Sequence, residues 1–190
     1  MGLWERLLPI GPAPRWMGPP AVLPGLVGDV LVLARTHAAA VAITGVAGYS
    51  TGFEFSLRLL LQREKPFGRR IDPSMEMHRW RGRRGSAPPE FPRLSVRFAD
   101  GTLITNLDRL PFDEPDAEPA GPMLVETGGG VSDLRRHDFS YWVWRLPPPG
   151  PVIFTCQWPA CEIENAQAQI DGHRIRDAAA RSIDPWPGDS

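Results

Sequence analysis

Two short segments carry residue types whose spacing could do chemistry. Ser132-Asp133 lies beside His137-Asp138, which places a hydroxyl, two carboxylates and an imidazole within seven residues. Those are the ingredients of nucleophilic catalysis, but a triad is defined by spatial geometry and the chain has no Gly-x-Ser-x-Gly elbow. Four polar residues after Gly128-Gly129-Gly130 read as a loop. The second segment is Arg79-Trp80-Arg81-Gly82-Arg83-Arg84, guanidiniums grouped around one ring. That combination suits a single-stranded nucleic acid, with arginine on phosphate and tryptophan on a base.

Charge weighs against the nucleic-acid reading. The chain of 190 residues has a formal net charge of -1, whereas a nucleic-acid-binding domain of this size is usually basic. The basic residues are concentrated: residues 58–97 hold eleven basic and four acidic side chains, net +7. Residues 100–118 hold six acidic and one basic, net -5. Opposed blocks of this kind pair within a monomer, or steer one protein onto another. A protein partner or self-association therefore ranks above nucleic acid. The candidate binding residues are Arg79, Trp80, Arg81, Arg83 and Arg84, together with Trp142 and Trp144.

Metal and cofactor chemistry find little support. His37, His78, His137 and His173 stand singly, and Cys156 and Cys161 lack the gap of a zinc knuckle. Strand parity puts Cys156 with Phe154 and Trp158, so a buried thiol is the first reading and a redox-active pair the second. The glycines at 128–130 have no following Gly-Lys-Ser/Thr, and the carboxylates of 106–118 lack a calcium-loop pattern. No catalytic, cofactor-binding or metal residue is assigned. Should the protein be an enzyme, its site would have to form from dispersed groups, with His78, His137, Asp108 and Glu126 as the first candidates.

The elements that would position these residues are short. The chain holds 22 prolines and 19 glycines, and proline inside a helix costs about 3 kcal/mol. Apolar alternation predicts strands at 30–36, 38–46, 53–61, 93–98, 102–105, 123–126, 139–146 and 152–158, with a weaker edge strand over 161–170. Asp100-Gly101 marks a hairpin, and Asp171 caps one helix over 173–183. Along 139–146, Phe139 and Tyr141 face one side and Trp142 and Trp144 the other. This strand is then either covered on both faces or exposes one to a partner. The pattern predicts an all-β antiparallel sandwich or partly closed barrel, with one C-terminal helix and long loops. Residues 1–28 read as a proline-rich arm, and residues 29–186 as a single domain with a basic insertion loop at 63–90.

The run Phe139-Ser140-Tyr141-Trp142-Val143-Trp144-Arg145-Leu146 with its following prolines resembles an uncharacterised family of small proteins from GC-rich actinobacteria. Phe154-Thr155-Cys156-Gln157-Trp158, Val96-Arg97-Phe98-Ala99-Asp100-Gly101 and Gly52-Phe53-Glu54-Phe55 are similar to the same group. The resemblance implies a bacterial intracellular protein of one domain and carries over no activity. The first residues lack the basic start and apolar run of a signal peptide, and no apolar stretch reaches membrane-span length. The expectation is a cytoplasmic, non-enzymatic protein-interaction or structural module, without a membrane segment.

Overall fold

The computed structural model describes residues 14–19, 21–62, 87–108, 118–133 and 135–186. Its strands are β1 (Gly25–Val27), β2 (Leu31–Arg35), β3 (Ala39–Tyr49), β4 (Gly52–Leu61), β5 (Arg93–Arg97), β6 (Leu103–Thr105), β7 (Met123–Ser132), β8 (Arg136–Trp144), β9 (Pro151–Trp158) and β10 (Ile163–Asp171). Among the described residues one α-helix, α1 (Gly172–Ala180), follows. The larger sheet runs β1-β3-β4-β8-β7, with β2 also on β3; the smaller runs β10-β9-β5-β6. Every pairing is antiparallel. The two sheets pack face to face, and no closed barrel forms.

The period-two pattern explains the core. Phe53, Phe55, Leu57, Leu59 and Leu61 of β4 point inward with Phe139, Tyr141 and Val143 of β8. Val152, Phe154, Cys156 and Trp158 of β9 meet them from the smaller sheet. Phe55 stacks on Tyr141 at 5.5 Å and meets the ring of Phe154 edge-on at 5.0 Å. A bulge between Thr44 and Ala47 shifts the parity of β3, and Gly45 supplies the positive φ there. Val46 therefore stays in the core while Ala47 and Tyr49 join the outer face.

The helix closes one end of the sandwich. The Asp171 side chain accepts a hydrogen bond from the His173 backbone N–H at 2.9 Å, as its position predicts. Ile175 and Ala178 enter the core, and a Cβ placed on Gly48 would lie 2.5 Å from the Ala179 nitrogen. Only a glycine admits so close a helix. Asp100-Gly101 makes the expected hairpin, with Gly101 at φ 86°.

Several boundaries differ from the sequence reading, among them β3, which runs on to Tyr49, and α1, which ends at Ala180. Residues 25–27, assigned to the arm, form β1 against Gly48–Val46 of β3. Strand β7 continues through Gly128, where a loop was expected, and it bulges twice along the way. Strand β8 begins at Arg136, three residues early. Of the insertion loop at 63–90, residues 63–86 lie outside the described residues, as does the acidic stretch 109–117.

Candidate interaction surface

The outward residues of the two sheets differ in kind. On the smaller sheet a polar row, Gln167, Thr155, Ser95 and Thr105, lies beside a mixed one, Gln169, Ile153, Arg97 and Leu103, in which Leu103 is 57 % exposed. On the larger sheet the outward residues grade from cationic to aromatic. The row Arg35, Ala40, Leu60, Arg136 crosses β2, β3, β4 and β8. The next is Val32, Ala42, Arg58, Asp138. Thr44, Ser56, Ser140 and Gly128 follow as a small polar row. Then come Ala47, Glu54, Trp142 and Val125, and finally Tyr49, Gly52, Trp144 and Met123. Residues directly opposite in an antiparallel pair share a face about 4.5–5.5 Å apart, so these rows are contiguous surface.

At the cationic end, Asp138 holds two guanidiniums. Arg58 donates from Nε to Oδ1 at 2.9 Å and from Nη2 to Oδ2 at 3.0 Å. Arg136 donates from Nε to Oδ2 at 3.0 Å and also from Nη2. Burial pushes the Asp138 carboxyl up, but these hydrogen bonds and charges outweigh it and hold the group below the usual carboxylate range. Arg58 and Arg136 are each more than a third exposed, so the pair presents fixed positive charge to solvent. Arg135 lies next to them, with Nε donating to the Leu61 carbonyl. Among these arginines Leu60 and Val32 are each 43 % exposed. Leu61 ends β4 at this end of the face.

The aromatic end is a second, smaller core. Trp142 and Trp144 pack with Tyr49, Ala47 and Val125 beneath Trp16 of the N-terminal segment. Tyr49 meets Trp142 edge-on at 5.6 Å and donates its hydroxyl to Glu54 Oε2 at 2.8 Å. Burial first, then Glu54, raises the Tyr49 pKa far above that of a free tyrosine.

Trp142 and Trp144, expected as binding residues, are therefore buried: 0 % and 6 % exposed. Arg79, Trp80, Arg81, Arg83 and Arg84 lie outside the described residues. Of the dispersed enzyme candidates, the described ones lie apart. Glu126 pairs with Tyr141, four residues along β8 from His137, about 13 Å away at ~3.3 Å per residue. Asp108 sits on an exposed turn, bonded to the Thr105 N–H and hydroxyl, and His78 is outside the described residues. His137 and Asp138 face opposite sides of the sheet, which separates that carboxylate from the imidazole, while Ser132 stands opposite His137 in register. Asp133 instead caps the turn into β8, accepting the N–H groups of Arg135 and Arg136 at 2.7 and 2.8 Å.

No protein family, curated protein or solved structure matches the chain.

Cys156 and Cys161 are free, buried thiols, each pushed up to about 12 chiefly by burial. Of the described members of the two charge blocks, Arg58 pairs with Asp138, and Glu118 with Arg145 at 3.2 Å. Among the described residues no helix is long and apolar enough to cross a membrane. The sequence reading missed Val32, Leu60, Arg35, Arg136 and Asp138 as surface partners. Its available signal was Leu60, an apolar residue at a position of β4 where alternation calls for a polar one.

Proposed function

We propose that this protein is a non-enzymatic interaction module whose contact surface is the cationic end of the larger sheet, and that its partner is an acidic protein segment with an apolar anchor. One observation carries the reading: Val32 and Leu60 are exposed on a sheet face bordered by Arg35, Arg58 and Arg136. Apolar anchors inside an arginine rim are the composition of protein interfaces, where Arg is enriched and buried apolar contacts dominate. Asp138 fixes two of the guanidiniums, so little side-chain freedom is lost on binding. Like charges oppose each other across an isologous pairing of this face, which favours a different protein over a second copy. The arginine-for-lysine bias and the two free thiols support a cytoplasmic protein of the GC-rich bacterial group that the sequence resembles.

The test is titration of the full chain with a fluorescent peptide of alternating Glu and Leu. Saturable binding that weakens with salt, and that Leu60→Asp reduces tenfold or more, supports the reading. Equal binding by the Leu60→Asp protein, or preference for an oligothymidylate of the same charge, overturns it.

A further inference from the structure

The aromatic end of the same face carries a second inference, independent of the cationic end. Trp142 and Trp144 are more than nine-tenths buried, yet neither indole N–H has a hydrogen-bond partner. Buried donors of this kind are normally satisfied, so two on adjacent outward positions of one strand need an explanation. What covers them is the chain's own proline-rich segment. Trp16 is 2 % exposed, and Met17 and Val22 pack beside it. Within that segment the Met17 N–H donates to the Pro14 carbonyl at 2.9 Å. Ladder-like bonding begins at Leu23, which exchanges two 2.9 Å hydrogen bonds with Ile183. Gly18 and Pro19 lie between the anchor and that fixed point.

We infer that Trp142, Trp144, Tyr49 and Val125 form a groove for a proline-rich peptide, and that the segment around Trp16 occupies it as an intramolecular competitor. The chemistry of a proline-rich peptide suits this floor. Its carbonyls are acceptors for the two indole N–H groups, while proline brings no N–H of its own that would need a partner. It is also stiff and extended before binding, the usual ligand of an aromatic-lined groove. The resident segment supplies the apolar contact and leaves both donors unmet. A peptide that supplies acceptors as well can therefore displace it.

The probe is a synthetic decaproline peptide, which carries carbonyl acceptors and no backbone N–H within its run, added to the full-length protein. Two readouts are decisive. The Trp142 and Trp144 indole 15N–H resonances shift on titration, and Trp16→Ala protein binds the peptide at least tenfold more tightly than wild type. Unshifted indoles in both proteins, or equal affinity, overturn the inference. If Trp16→Ala does not fold, tryptic cleavage of wild-type protein after Arg15 takes its place. A proline-rich peptide lacking arginine, added to saturation, must speed that cleavage severalfold by releasing Trp16. An unchanged rate overturns the inference.

Discussion

Arg58 of β4 and Asp138 of β8 stand directly opposite in register and are joined by two hydrogen bonds, 2.9 and 3.0 Å. Arg136, two residues from Asp138, binds the same carboxylate. A carboxylate whose pKa is depressed by folding contributes stability above its unfolded value, near 4, and loses it as pH falls through the native value. Asp138→Asn should destabilise by about 1–2 kcal/mol at pH 7, a modest figure because both arginines are partly solvated. Urea midpoints of wild type and variant should converge below about pH 4. Curves that stay parallel through the acid range would show that Asp138 does not set this dependence.

Tyr49 gives the opposite slope. Its pKa is raised, so the neutral phenol is favoured in the fold. Stability from this group is present below about pH 10 and declines as pH rises toward the native value. Tyr49→Phe should remove that alkaline decline and cost about 1 kcal/mol at neutral pH through the lost hydrogen bond to Glu54. Denaturation measured at pH 8 and pH 11 for both proteins tests it; the same loss in each would refute the assignment.

Gly48 and Gly28 should respond differently to the same methyl group. At Gly48 an added Cβ lies 2.5 Å from the Ala179 nitrogen and 2.7 Å from the Ile175 carbonyl oxygen. Moving a helix costs about 1–3 kcal/mol. At Gly28 nothing lies within 4 Å, so alanine should be neutral or stabilise by up to about 1 kcal/mol. Thermal melts of the two variants make the comparison, and a Gly48→Ala melt equal to wild type would mean that the helix does not seat as described.

Cys156 and Cys161 should be nearly inert in the native state. Both are buried, and their raised pKa leaves little thiolate at pH 8. Reaction with Ellman's reagent should follow unfolding and become rapid in denaturant. Stoichiometric labelling within seconds without denaturant would contradict the burial.

Local information reached some of these features and not others. The alternation of Phe53 to Leu61 set both the strand and its inward face, because burial of one face imposes a period of two. Trp142 and Trp144 were assigned to the correct shared face on the same ground, but their burial depends on Trp16, far away in the chain. Parity likewise turned Arg58 outward without showing that Asp138 stands beside it, since register between β4 and β8 is a long-range choice. Gly128 to Gly130 suggested a loop because glycine disfavours strands. Pairing with β8 overrides that preference and leaves two bulges in β7. Bulges of this kind twist an edge strand away from unwanted pairing.

The bridge between Leu23 and Ile183 has a mechanical consequence. The two residues run antiparallel, so the segments before Leu23 and after Ile183 leave the sandwich from the same side. Tension between a tether on one segment and a tether on the other would not shear a ladder. It would open this bridge one hydrogen bond at a time and then load β1 against β3. Once the Trp16 segment has lifted from the aromatic face, the next part to yield would be the corner where β1 packs on α1, while the aromatic and aliphatic core between the sheets stays closed.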